Sequence, residues 1–376
     1  MASRPKLLVI DLLRFCAAVA VMAYHFGSVA PLLAEAPVQL FDAGVALPQA
    51  AARWTWCGWV GVQIFFVISG YVIALSAEGA AAGAFLRRRI LRLVPAAWIC
   101  SSVTAAALVS WNAYPPAVVL QRWGSAILFI PSSTPIDGSY WTLGLESVFY
   151  LLCALALHAR VVSVERLGAG LGALSVGFWA VQSVLPMSEP MLNSLVIRQT
   201  LLPHGCFFGL GVVLYAMRRR PVDWALRVLA TAFFATGVWE ILDQATAQTW
   251  APTAFLHPWL PVGLFGFAVI AIANADALQS ALGRALPPRT LGLIGLATYP
   301  LYLLHQTIGS ALIVVLVRSG VSAAVAMWAT AAAMIGFALA ITRWLEPVLR
   351  RWMAGRLMPA RVPPPDIQRS ASLPAG

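Results

Sequence analysis

Charged side chains are scarce in this sequence. Asp, Glu, Lys and Arg make up 10% of its 376 residues, whereas a soluble domain carries about 25%. So little charge cannot cover a water-facing surface, and a large soluble globule is excluded. Apolar residues supply 60% of the chain and the mean hydropathy is +0.81. Uninterrupted apolar runs of about 20 residues recur, each long enough to cross a bilayer. Inside lipid every backbone polar group needs an internal partner, which leaves helices or a closed barrel. Barrel strands alternate apolar and polar residues; these runs do not alternate. The expected fold class is all-α, a polytopic membrane protein.

Other absences narrow the chemistry. The five cysteines (Cys16, Cys57, Cys100, Cys153 and Cys206) form no CxxC pair and read as small buried apolar residues, with neither a disulfide framework nor a zinc site. No HExxH or similar ligand spacing occurs, so no metal is expected. No internal repeat is visible, which disfavours many transporter folds. Acidic residues are few, 14 against 25 Lys and Arg, giving a net charge of +11. In a soluble protein that would point to nucleic acid. Here the basic residues cluster between apolar runs, so they report topology, with anionic lipid headgroups and a phosphate-bearing substrate as partners and no nucleic acid.

Ten spans are expected, at 7–30, 57–78, 93–112, 140–158, 167–186, 194–216, 222–242, 258–275, 291–314 and 322–345. The first, after Arg4 and Lys6, is interrupted by Asp11 and Arg14 and reads as a retained span rather than a signal peptide. The segment 117–131 is apolar but short, with Arg122 inside, and reads as an interfacial or re-entrant piece or an eleventh span. One set of loops holds Arg4, Lys6, Arg87 to Arg89, Arg92, Arg160, Arg166, Arg218 to Arg220, Arg284, Arg289 and the tail from Arg343. The other holds only Arg53, Arg122, Arg198 and Arg318. The imbalance puts both termini in the cytoplasm. Residues 1–356 form one membrane domain, and the Pro- and Ser-rich tail 357–376 reads as a disordered cytoplasmic end.

Ionisable groups inside spans are costly and mark candidate sites. Arg14 and His25 share the first span, 11 residues apart. That spacing is three turns plus about 20°, so both face the same way, about 16 Å apart along the axis. Arg14 snorkelling beside Asp11, with His25 satisfied by a neighbouring helix, is an equal alternative. In FLRRRILRLVP, Arg88, Arg89 and Arg92 sit on adjoining turns of a helix that ends near Pro95. Guanidinium forks suit phosphate oxygens, although a topology anchor accounts for the charge as well. Gly58, Gly61, Ser69 and Gly70 are small positions that allow close approach. Glu146 is an acid within an apolar helix with Tyr150 at i+4, available to orient His25 or to bind an arginine. Tyr299, Tyr302 and His305 make a polar stripe at i, i+3, i+6. His158, His204 and His257 receive no role.

Five segments stand in order: IDLLRFCAAVAVMAYHF, GVQIFFVISGY, FLRRRILRLVP, YWTLGLESVFYLL and TYPLYLLHQTIG. Together, over residues 8 to 310, they resemble acyltransferase family 3, the bacterial integral-membrane O-acyltransferases. The resemblance implies a ten-helix fold in the inner membrane. It also implies acyl-CoA, most often acetyl-CoA, as donor and transfer to an extracytoplasmic hydroxyl, usually on a glycan. It carries over His25 as the catalytic residue, Glu146 as a site carboxylate, and Arg14, Arg89 and Arg92 as donor-binding residues. Thr142 stands where the family usually has Ser, and Tyr71 where it often has Phe. The soluble hydrolase-like domain that some relatives append is missing from this sequence.

The expected mechanism has His25 as general base on the acceptor hydroxyl. Ser69, Tyr150, Tyr302, His305 and Gln306 are substrate or oxyanion candidates. A transporter or flippase for a lipid-linked or small anionic substrate, with Arg, His and Glu lining its pathway, is the alternative; a non-enzymatic scaffold is a third. Residues 31–56 and 113–139 are the largest external loops and the natural determinants of acceptor choice.

Overall fold

The structure is a computed structural model that describes residues 7–29, 49–188, 191, 194, 197, 199–247 and 257–357. Among these residues it is all-α, and eight helices are long and apolar enough to cross a membrane, or nine if one bent pair counts as a span. The expected all-α polytopic fold is therefore the observed one. The tail from residue 358, most of loop 31–56, and Arg198 lie outside the described residues.

The chain begins with α1 (Leu8–Tyr24), which runs into a π-helical turn at His25–Val29. A short α2 (Gln49–Thr55) leads through a tight turn to α3 (Gly61–Ala77). Next come α4 (Ala82–Ser110), α5 (Pro116–Ile127), α6 (Trp141–Ala159) and α7 (Val164–Val184). The second half holds α8 (Gly205–Arg219), α9 (Trp224–Ala247), α10 (Trp259–Ala273) and α11 (Ala275–Ala285). Then α12 (Pro288–Leu304) passes through a second π-turn, His305–Gly309, into α13 (Ser310–Arg318). Finally α14 (Ala323–Ala340) joins α15 (Glu346–Leu357) through a third π-turn, Ile341–Leu345.

Two close crossings organise the bundle. In the first, α3 packs on α8. A Cβ on Gly70 would strike the carbonyl of Phe208, and one on Gly211 would strike that of Val67. Apolar faces gain little from meeting one another in lipid, so helices associate where small residues let backbones touch. In the second, α1 packs against α12 and α3, with Gly61 against the Ala17 carbonyl and Gly295 of α12 against the Asp11 side chain. The first helix is thus part of the core, with Ile10, Ala17, Ala18, Val21 and Met22 buried.

Several local expectations are corrected. Pro95 does not end a helix: α4 continues through it for 29 residues, with Pro95 buried in the interior. Neighbouring helices in a membrane protein can re-satisfy the carbonyl a proline leaves free. Arg88, Arg89 and Arg92 stand on adjoining turns of a helix as expected, but that helix is continuous with the expected span at 93–112. Residues 117–131 form no eleventh span. They supply the 12-residue α5, which lies along α4, pinned by Trp98 Nε1 donating to the Ile127 carbonyl at 2.9 Å and Trp123 Nε1 to Ser102 Oγ at 3.1 Å. The segment expected at 194–216 contributes the 15-residue α8, and the one at 258–275 breaks by 90° into α10 and α11. After that break Gln279 Oε1 accepts from the Leu8 N–H at 2.9 Å, capping α1. Cys16 is exposed rather than buried, unlike the other four cysteines.

Candidate active site

A polar chamber opens between α1, α3, α4, α6 and α12. Its walls include Arg14, Ser69, Arg89, Arg92, Thr142, Glu146, Tyr150, Thr298, Tyr299 and Tyr302, with Val62, Phe65, Phe66, Leu93, Leu143 and Leu303. It encloses about 730 Å³, open solvent at its mouth included. Residues from five separate sequence segments meet here, including seven of the ten singled out from the sequence.

The three expected donor-binding arginines all line this chamber. Arg92 Nη2 donates to the Gly295 carbonyl at 3.4 Å, and Arg14, Glu346 and Asp11 are its charged neighbours. Glu346, itself buried, pairs with Arg350 one turn on. Arg89 lies against the rings of Phe85 and Tyr150, 5.7 and 5.8 Å from guanidinium carbon to ring centre. Its Nε is buried and has no hydrogen-bond partner. A buried N–H without an acceptor is costly, which makes Arg89 a candidate to gain a partner when the chamber is occupied. Arg88 is different: its Nη2 donates to the Ser76 carbonyl at 3.0 Å, tying α4 to the end of α3.

Glu146 does not meet His25. Ser69 Oγ donates to its Oε1 at 2.6 Å and Tyr150 OH to its Oε2 at 3.0 Å. The carboxylate thus fixes two of the expected oxyanion candidates and faces the arginines. Of the two roles read for it from sequence, binding on the arginine side fits this geometry and orienting His25 does not.

His25 and His305 lie just outside the chamber, and neither lines it. Their rings are 5.1 Å apart between centres, tilted by 53°. His305 is completely buried. Its Nδ1 lies 2.8 Å from the Tyr302 carbonyl, which makes Nδ1 the protonated nitrogen in the neutral ring. Nε2 then carries the lone pair, and it is buried and unpartnered, as is His25 Nδ1. Tyr302 lines the chamber and stands between it and the histidine pair. Its ring meets Phe65 at 5.5 Å and His305 at 5.8 Å, and its hydroxyl lies 3.1 Å from Thr142 Oγ1.

Each of these histidines is the first residue of a π-turn. Such turns are rare and concentrate at functional sites. The second is clamped by Asp137, a buried residue to which the sequence reading gave no role. Its Oδ2 accepts from the Thr307 N–H at 2.8 Å, while Oδ1 accepts from the N–H and hydroxyl of Ser139 at 2.9 and 2.6 Å. Gln306 packs its amide against Gly138. One acid thereby ties the His305 turn to the start of α6. A local signal existed, since Asp137 caps the turn that opens YWTLGLE; its partner Thr307 is remote in sequence. His204 was also passed over. Its Nδ1 lies 3.0 Å from Oε1 of buried Glu240.

The acyltransferase-domain family profile matches residues 7–345. The chain belongs to that family, and it is an integral-membrane acyltransferase. Among curated relatives it is 25% identical to acyltransferase MdmB of Streptomyces mycarofaciens over 78% of this chain and 76% of that one. It is 26% identical to the peptidoglycan O-acetyltransferase OatA of Listeria monocytogenes over 80% of this chain and 49% of OatA. A shorter match, 29% identical over 27% of this chain and 34% of the other, is to the exopolysaccharide production protein ExoZ of Rhizobium meliloti. No solved structure matches. The transporter and scaffold alternatives give way to an enzyme.

Proposed function

We infer that the protein moves an acyl group, most simply acetyl, from acyl-CoA at the cytoplasmic face to a hydroxyl of an extracytoplasmic glycan. The membrane in question is the bacterial inner membrane. The observation that carries the reading is the junction of an arginine-lined chamber with a histidine pair across one wall. Arg14, Arg89 and Arg92 supply cationic forks for the phosphates of coenzyme A. Their end of the bundle carries the excess of basic residues and is read as cytoplasmic. The pantetheine arm lies in the chamber toward Tyr302, with Glu146 holding Ser69 and Tyr150 in place. The glycan acceptor is supported by the names of OatA and ExoZ.

In the transfer step the acceptor hydroxyl attacks the thioester carbonyl. A C–O bond forms and the C–S bond breaks. His25 takes the hydroxyl proton and returns it to the departing thiolate, with His305 beside it as the second imidazole. Imidazole is suited to this because its ordinary pKa lies near working pH. Since Ser69 and Tyr150 are engaged by Glu146, the Tyr302 hydroxyl and the Gln306 amide are the better placed oxyanion donors. Phe65 and Tyr302 must move aside for the thioester to meet the imidazoles. The test uses purified full-length protein with radiolabelled acetyl-CoA and cell-envelope glycan. Label should pass to glycan with wild type and not with a folded His25→Ala variant. Near-normal transfer by that variant ends the proposal.

A further inference from the structure

A second hollow lies on the other side of the first turn of α6. It encloses about 400 Å³, solvent at its mouth included, between α5, the segment 128–136 and that turn. Leu143 lines both this hollow and the donor chamber, and Trp141 and Thr142 stand between them on the same turn. The polar side chains around it are Arg122, Ser125, Ser132, Tyr140 and Gln199, and the lining contains no carboxylate.

Three observations mark it as a binding site. Arg122 stacks its guanidinium on Tyr114, 4.1 Å from the ring centre, yet its Nε is buried without a hydrogen-bond partner. Gln199 has a buried side-chain oxygen that is likewise unpartnered, held against Gly144. Phe129, another lining residue, adopts φ 58° at the end of α5, a conformation usually left to glycine. Its ring, with Trp141 and Tyr140, gives the hollow aromatic walls. Aromatic surface with one unopposed guanidinium and one amide fits a pyranose ring that bears an acid group.

We propose that this hollow is the acceptor subsite, taking a sugar residue with a carboxylate substituent whose charge pairs with Arg122. Gln199 bonds a ring hydroxyl, and Trp141 offers a ring face. The assignment rests on the acyltransferase reading above and adds where the acceptor sits and what charge it carries. In that arrangement the acceptor approaches across the α6 turn whose Thr142 touches Tyr302.

The test is direct binding to full-length protein in nanodiscs, by calorimetry, with a glucuronic-acid oligosaccharide and a neutral glucose oligosaccharide of equal length. Wild type should bind the acidic probe about tenfold or more tighter, the scale of one charge-assisted hydrogen bond. Arg122→Ala should abolish that preference, and Arg122→Lys should keep part of it. Gln199→Ala should weaken both probes. Thermal unfolding of each variant shows that it is folded. Equal affinity for the two probes, or a preference that survives in folded Arg122→Ala, overturns the proposal. Acetyl-CoA binding by wild type is read separately. Its absence would sink the acyl-donor reading while Arg122-dependent sugar binding would stand.

Discussion

His25 and His305 come from opposite ends of the chain and lie 5.1 Å apart, ring centre to ring centre, at a tilt of 53°. Each presents a buried nitrogen with no protein partner. On the proposed mechanism the two are adjacent bases for one acceptor proton and should act as a unit. His25→Ala and His305→Ala are each expected to cut transfer by roughly 10²–10⁴-fold, the usual range for a general base. The double variant should fall little further, because residues acting together are not additive. Single-turnover transfer rates measure this; a His305→Ala enzyme at wild-type rate would leave His25 acting alone.

The donor end has a charge signature. Arg89→Ala and Arg92→Ala should each weaken acetyl-CoA binding by about tenfold or more, and added salt should weaken wild-type binding. Arg89→Lys should restore only part, since an ammonium lacks the planar fork. Calorimetric titration with acetyl-CoA reads all three, and unchanged affinity in both alanine variants removes the phosphate role.

Asp137 holds the His305 turn without touching either ring. Asp137→Ala strips an acceptor from the Thr307 and Ser139 N–H groups, at about 1–3 kcal/mol for each buried group left unpaired. The expected outcome is a lower unfolding temperature together with slower transfer, with Asp137→Asn recovering part of both. Wild-type unfolding in Asp137→Ala would show that the clamp is dispensable.

The α3–α8 crossing should be intolerant of a single methyl group. A Cβ on Gly211 meets the Val67 backbone, whereas one on Gly170 of α7 meets nothing within 4 Å. Gly211→Ala should destabilise the protein by about 1–3 kcal/mol through overpacking. Gly170→Ala should be neutral or mildly stabilising, as expected for replacing glycine in a helix. Denaturation in a mild detergent separates the two.

Most span positions were legible because bilayer thickness writes itself into run length, whereas the segments at 194–216 and 258–275 proved a short helix and a bent pair. Arg14, Arg89, Arg92 and Glu146 were legible because a charge in an apolar helix needs a reason. Their convergence was not: Ser69 pairs with Glu146 from another helix, and no local pattern announces a contact between helices. Pro95 misled for the same reason, since its breaking tendency was overruled by packing. The π-turns left no trace in the pattern of residues, although two of the three start at a histidine that the sequence had marked. Glu146 was left with two readings, and only the fold, which sets Ser69 and Tyr150 on it, favours the arginine side over His25. His204 and Asp137 were overlooked because each meets its partner only in three dimensions.

The wall formed by Tyr302 and Phe65 bears on the cell as well as on the reaction. An enzyme that accepts one reactant from each side of an energised bilayer risks becoming a leak for protons. With these two rings in contact at rest, the arginine chamber stays apart from the histidine pair, and on the proposed reading an idle enzyme would hold its two reactant approaches separate. Only a reactant large enough to part the rings would open the way, and it would fill the gap it made.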